Sequence, residues 1–149
     1  MFKVWRAPTD RDHAAHVGPT TEPSYRAAFA AEVEAYQLAR ANPSTCAHVP
    51  TLFGTHRVHD ILASDGTSIL DRYLPDCCLE LEWLSGNPHR VDQLRAPWAE
   101  RATALRLGLS EAGVRYTCDM TYFVPDDPSG ILRVVDFGTR DAQAESSLP

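Results

Sequence analysis

Ile131-Leu132-Arg133-Val134-Val135-Asp136-Phe137-Gly138 is an apolar run that closes on a carboxylate, an aromatic ring and a glycine. A short strand ending this way can hold Asp136 rigidly at the mouth of a sheet, where it can grip a metal ion. Upstream lies a second carboxylate, Asp119, followed by the apolar Tyr122-Phe123-Val124 and the turn residues Pro125-Asp126-Asp127-Pro128-Ser129-Gly130. The pattern predicts a hairpin that returns the chain near its start, so Asp119 and Asp136 are expected to converge on one polar site. Two carboxylates that close repel unless a cation, a basic side chain or a shared proton lies between them. Paired carboxylates of this kind, ahead of a permissive glycine, serve magnesium-dependent phosphoryl transfer.

Working back from the hairpin, Trp98, Ala102, Leu105, Leu109 and Ala112 recur at helical spacing. They predict a core-facing helix from about Pro97 to Ala112, with proline in its first turn and Gly113 closing it. Before it, Leu79, Leu81 and Trp83 alternate with Glu80 and Glu82. This is the pattern of a half-buried strand, from Cys77 to Leu84, ended by Ser85-Gly86-Asn87-Pro88. Ser64-Asp65-Gly66-Thr67 reads as a tight turn after a strand running from about Thr55 to Leu62. Ser24 is the expected N-cap of a first helix over about 25–41, stopped by Asn42-Pro43, with Phe29, Val33 and Tyr36 as its apolar stripe and Glu32 on the flank. Phe2 to Trp5 alternates as a short strand carrying Lys3.

The chain of 149 residues has the length of one domain, expected over 1–138, with a polar, flexible tail over 139–149. Its net charge of −6 argues against nucleic acid or an anionic membrane surface as the main partner. The first residues lack a signal-like apolar stretch, and no segment approaches the roughly 20 apolar residues of a membrane span, so a cytoplasmic protein is expected. Cys46, Cys77, Cys78 and Cys118 have no C-x-x-C spacing, and free thiols are the better reading. His13 and His16 stand three apart, but no further ligand accompanies them, which favours a polar loop. His56 and His59 would leave a strand on opposite faces, against a joint metal site.

Taken in order, these pieces resemble a protein-kinase-like domain. Lys3 on its strand is similar to the lysine that grips nucleotide phosphates, and Glu32 to its helix partner; Glu34 competes for that role, but Glu32-x-x-x-Tyr36 is the better spacing. The stretch Leu79 to Gly86, with Glu82, is similar to the strand and hinge that line an adenine pocket. Gly113 to Asp119 resembles the approach to a catalytic loop, making Asp119 the expected general base, and Asp136-Phe137-Gly138 resembles the magnesium motif.

The resemblance implies an α+β, truncated kinase-like fold with a small antiparallel sheet and two main helices. It implies a cleft lined by Lys3, Glu32, Asp119 and Asp136 for a nucleotide such as ATP with magnesium, or for another small polar or anionic ligand. The departures are equally specific. Only two residues precede Lys3, leaving no room for a glycine-rich loop; Thr117-Cys118 stands before Asp119 in place of His-Arg; no asparagine lies between Asp119 and Asp136; and eleven residues after Gly138 cannot supply a large helical lobe. Ordinary protein-kinase activity is therefore not expected. The alternative is an inactive pseudokinase that binds a protein partner or dimerises, with Leu105, Leu109, Tyr122 and Phe123 as candidates for the uncovered face.

Overall fold

The computed structural model describes residues 1–7, 21–117 and 119–137. Cys118, His13, His16, Gly138 and the tail lie outside them. Within the described residues the chain is α+β, with two helices and two small antiparallel sheets where the sequence suggested one sheet. Its contacts divide it into two units. The first is Met1–Ala30 with Leu52–Glu82, the second Ala31–Thr51 with Trp83–Pro149. No helix is long and apolar enough to cross a membrane.

Helix α1 spans Glu22–Ala41, starting earlier than Ser24 would have it. Its first carbonyl partner is Thr21, whose oxygen accepts from the Ser24 and Tyr25 amides at 3.0 and 3.2 Å. Pro23 then falls in the first turn, where a missing N–H costs no helical bond. At the other end Asn42 Oδ1 accepts from the Ser44 amide at 2.9 Å, and the buried Thr45 hydroxyl donates to the Ala39 carbonyl at 2.7 Å, which turns the chain out of the helix.

The first unit contains the N-terminal half of α1 and the strands β1 (Phe2–Arg6), β2 (Leu52–His56) and β3 (Tyr73–Leu81), ordered β1-β3-β2. β2 is placed earlier than the sequence pattern suggested, because β3 carries Pro75 beyond the Cys78–His56 pair, and a proline cannot extend the donor side of a ladder. Cys77 and Cys78 point to opposite faces of β3, and both are buried. On the Cys77 side Ala7 and Leu74 complete a small core against which Trp5, Tyr25 and Phe29 pack. β3 ends at Leu81, so Trp83 does not join the buried side; it is 76% exposed.

The second unit contains the C-terminal half of α1, helix α2 (Trp98–Glu111) and the strands β4 (Asn87–His89), β5 (Thr121–Val124) and β6 (Arg133–Val135), ordered β4-β5-β6. The hairpin expected from the sequence is β5–β6, with Thr121 opposite Val135 and Phe123 opposite Arg133. Its turn is pinned by Asp127, whose Oδ1 accepts from the Ser129 amide and hydroxyl, each at 2.8 Å. β4 was hidden in what reads as a breaker. Its Pro88 is tolerated because β4 is an edge strand. Gly86 introduces it at φ 107°, where a Cβ would stand 2.6 Å from the Val124 carbonyl oxygen. Ala102, Leu105 and Leu109 of α2 are buried, as are Met120, Tyr122, Leu132, Val134 and Phe137. Leu105, Leu109 and Tyr122 are therefore not an uncovered face.

Candidate functional site

Asp136 follows β6 directly and has φ 66°, a left-handed conformation that only a few per cent of non-glycine residues adopt. Two side chains hold it. The Thr121 hydroxyl donates to its Oδ2 at 2.9 Å, and its own amide donates weakly to the Tyr36 hydroxyl at 3.4 Å. Next to it Phe137 is wholly buried, its ring edge-on to Tyr36 at 4.9 Å and 76°. The strained residue is thus fixed by groups on both sides of it in the chain.

Tyr36 is the junction. Its hydroxyl is hydrogen-bonded to Glu32, one helical turn earlier. Burial pushes the phenol well above its ordinary value, and the nearby Glu32 and Asp136 charges push the same way. Tyr36 therefore stays protonated and can donate to a carboxylate while it accepts from the Asp136 amide. Glu32 is 2% exposed rather than on the flank of the apolar stripe, because the buried face of α1 runs through Glu32, Ala35, Tyr36 and Ala39. A carboxylate so deep must be hydrogen-bonded or paired to persist.

Asp119 leaves the same end of the hairpin, two residues before Thr121. Arg90, just after β4, holds it by two bonds from Nη1, to Oδ1 at 2.8 Å and to the backbone oxygen at 2.6 Å. Asp119 thus has a basic partner in Arg90, which the sequence did not single out.

Of the residues selected from sequence, Glu32, Asp119 and Asp136 belong to the second unit, and Lys3 and Glu82 to the first. Within the first unit the Lys3 ammonium sits 4.7 Å from the centroid of the Trp5 ring. Sequence reasoning named Tyr36 for its place in the apolar stripe and for its spacing from Glu32, and missed Thr121. The Glu32-x-x-x-Tyr36 interval was the available signal for the first, since groups four apart on a helix meet; nothing in the sequence marks Arg90.

Among the described residues no group of three or more His, Cys, Asp or Glu side chains could hold a metal by itself. For magnesium, Asp136 has the right donor chemistry, an oxygen-only ligand fixed by its backbone. Compared with protein-family models, with curated proteins and with solved structures, the chain matches none of them.

Proposed function

We propose that this chain is a reduced kinase-like protein whose second unit binds a magnesium-associated nucleotide, or another small phosphate-bearing ligand, at Asp136. The observation that carries the reading is the left-handed Asp136, held through its carboxylate by Thr121 and through its amide by Tyr36. Strained residues that the surroundings over-determine cluster at ligand sites. When bound, magnesium would neutralise phosphate charge; the chain's own part is to fix the Asp136 carboxylate in one orientation and keep Tyr36 protonated behind it. In the same reading Asp119, oriented by Arg90, takes the proton of an attacking hydroxyl. No asparagine lies between Asp119 and Asp136 to hold a second metal as in kinases, so this reading expects binding to exceed turnover.

Thermal denaturation with ATP, ADP or neither, each with and without magnesium, tests this. The expected result is a nucleotide-dependent rise in midpoint that requires magnesium, is lost in Asp136→Asn and persists in Asp119→Asn. A midpoint unmoved by every combination overturns the ligand-binding reading and leaves the protein-binding alternative.

A further inference from the structure

The contacts of Asp119 and Asp136 meet at one end of the second unit's sheet. β4 and β5 pair there with His89 opposite Tyr122. Arg90 continues β4 with extended backbone, φ −82° and ψ 159°, which brings it level with Thr121. Successive side chains alternate, so Arg90 and Thr121 share the face opposite to that of His89 and Tyr122. On that face the Thr121 hydroxyl donates to Asp136 at 2.9 Å. Arg90 Nη1 donates at 2.8 and 2.6 Å to Asp119, two residues before Thr121. Two residues of extended chain span about 7 Å, so one ligand of several heavy atoms can reach from Asp136 to Arg90.

Arg90 is oriented there without being used up. Both of its bonds to Asp119 come from Nη1. The parallel donors that receive an oxyanion side-on are Nε and Nη2, and neither bond uses them. The Arg90 side chain is 45% exposed, so a ligand has access to the guanidinium. A guanidinium already held in place loses less freedom on binding than a mobile one. Against this one cation stand two carboxylates, Asp119 and Asp136. An anion arriving alone therefore meets net repulsion, and one that brings magnesium to Asp136 does not.

We infer that Arg90 binds a phosphate of the ligand whose magnesium Asp136 holds, the role that the kinase resemblance assigned to Lys3. The inference rests on the reading of Asp136 given above. Lys3 belongs to the first unit, where its ammonium lies against the Trp5 ring, whereas Arg90 stands at the sheet end that carries both carboxylates. Two separate contacts, one through magnesium and one through the Arg90 fork, select a nucleoside di- or triphosphate over a monophosphate.

Calorimetric titration with ATP and with AMP, each in the presence of magnesium, tests this. The parent should bind ATP more tightly than AMP. Arg90→Gln should weaken ATP binding about tenfold, and Arg90→Lys, which keeps the charge but not the fork, several-fold. Arg101→Gln removes the same charge from α2 and should bind as the parent does. An equal loss from Arg90→Gln in an Asp119→Asn background is expected if Arg90 touches the ligand; disappearance of the loss there would mean that Arg90 only positions Asp119, and overturns the inference. Unchanged ATP affinity in both Arg90 variants, with binding lost in Asp136→Asn, overturns the role of Arg90 and leaves that of Asp136 standing. A parent protein without magnesium-dependent binding overturns both. Should Arg90→Gln fail to fold, Arg90→Lys gives the answer alone.

Discussion

Each unit has a three-stranded antiparallel sheet, yet the two bury different chemistry. The first hides Leu74, Cys77, Cys78, Leu79 and Leu81 along β3 and leaves its charges outside: Arg26 with Glu22 and Asp76, His56 with Glu80. Both buried thiols are pushed up by desolvation, which makes them inert packing groups rather than nucleophiles. The second buries Glu32 and Thr45 and the orphaned Tyr122 hydroxyl, and holds Asp136 in a strained conformation. A buried polar group costs free energy unless something satisfies it, whereas an exposed ion pair costs and contributes little. The difference is thus one of burial: apolar side chains along β3 in the first unit, polar groups as well in the second.

The comparison is most exposed to one pair of substitutions. Glu32→Ala removes the acceptor of a buried hydroxyl and leaves a cavity, and should destabilise the protein by about 3 kcal/mol. Glu80→Ala removes the partner of His56 at 2.7 Å, with both side chains a third or more exposed. It should change stability by less than about 1 kcal/mol. Urea denaturation of both variants measures the gap. Equal losses would mean that Glu32 is no more embedded in its surroundings than a surface carboxylate.

How far the sequence revealed this contrast depends on the kind of signal. The β5–β6 hairpin was legible because strand alternation and the turn residues from Pro125 to Gly130 are local, and so was the stop of α1 at Asn42-Pro43. β4 was not, since Asn87-Pro88 breaks a strand anywhere but at a sheet edge, and edge position is a tertiary fact. Trp83 was misplaced for a related reason: alternation continues past Leu81 in the sequence, but pairing stops there. In the candidate site the acids were visible and their supports were not. Asp119 and Asp136 announce themselves by charge beside apolar runs. The burial of Glu32 and the grip of Arg90 on Asp119 depend on chain segments that meet only in three dimensions.

A smaller effect sharpens the account of the second unit. Tyr36→Phe keeps the ring contact with Phe137 and removes only the hydroxyl that joins Glu32 to the Asp136 amide. A loss of about 1–2 kcal/mol is expected, because a buried carboxylate loses a donor while packing is retained. The amide of Asp136 should exchange with deuterium faster than in the parent protein, and those of Tyr122 and Val134 in the adjoining ladder should not. Unaltered exchange at Asp136 would show that the Tyr36 hydroxyl does not protect that amide.

The smallest effect belongs to the first unit, and its sign follows from Arg26. The guanidinium donates to Asp76 Oδ2 at 2.6 Å and holds that carboxyl below its ordinary value of 3.8; the first cause is this hydrogen bond. A carboxyl whose folded pKa is depressed binds protons more readily when unfolded. Its contribution is therefore present above the unfolded value and disappears as pH falls through the folded one. The pair is exposed, so the contribution is small and screened by salt. Arg26→Gln should return the Asp76 titration, followed by carboxyl NMR, towards 3.8, and should lower stability slightly near pH 7 while leaving it unchanged at the most acid pH, which flattens the acid limb of the stability curve. If Asp76 titrates identically in the variant, Arg26 does not set its charge, and the view of the first unit's charges as solvated ornament to an apolar sheet would need a different partner for that carboxylate.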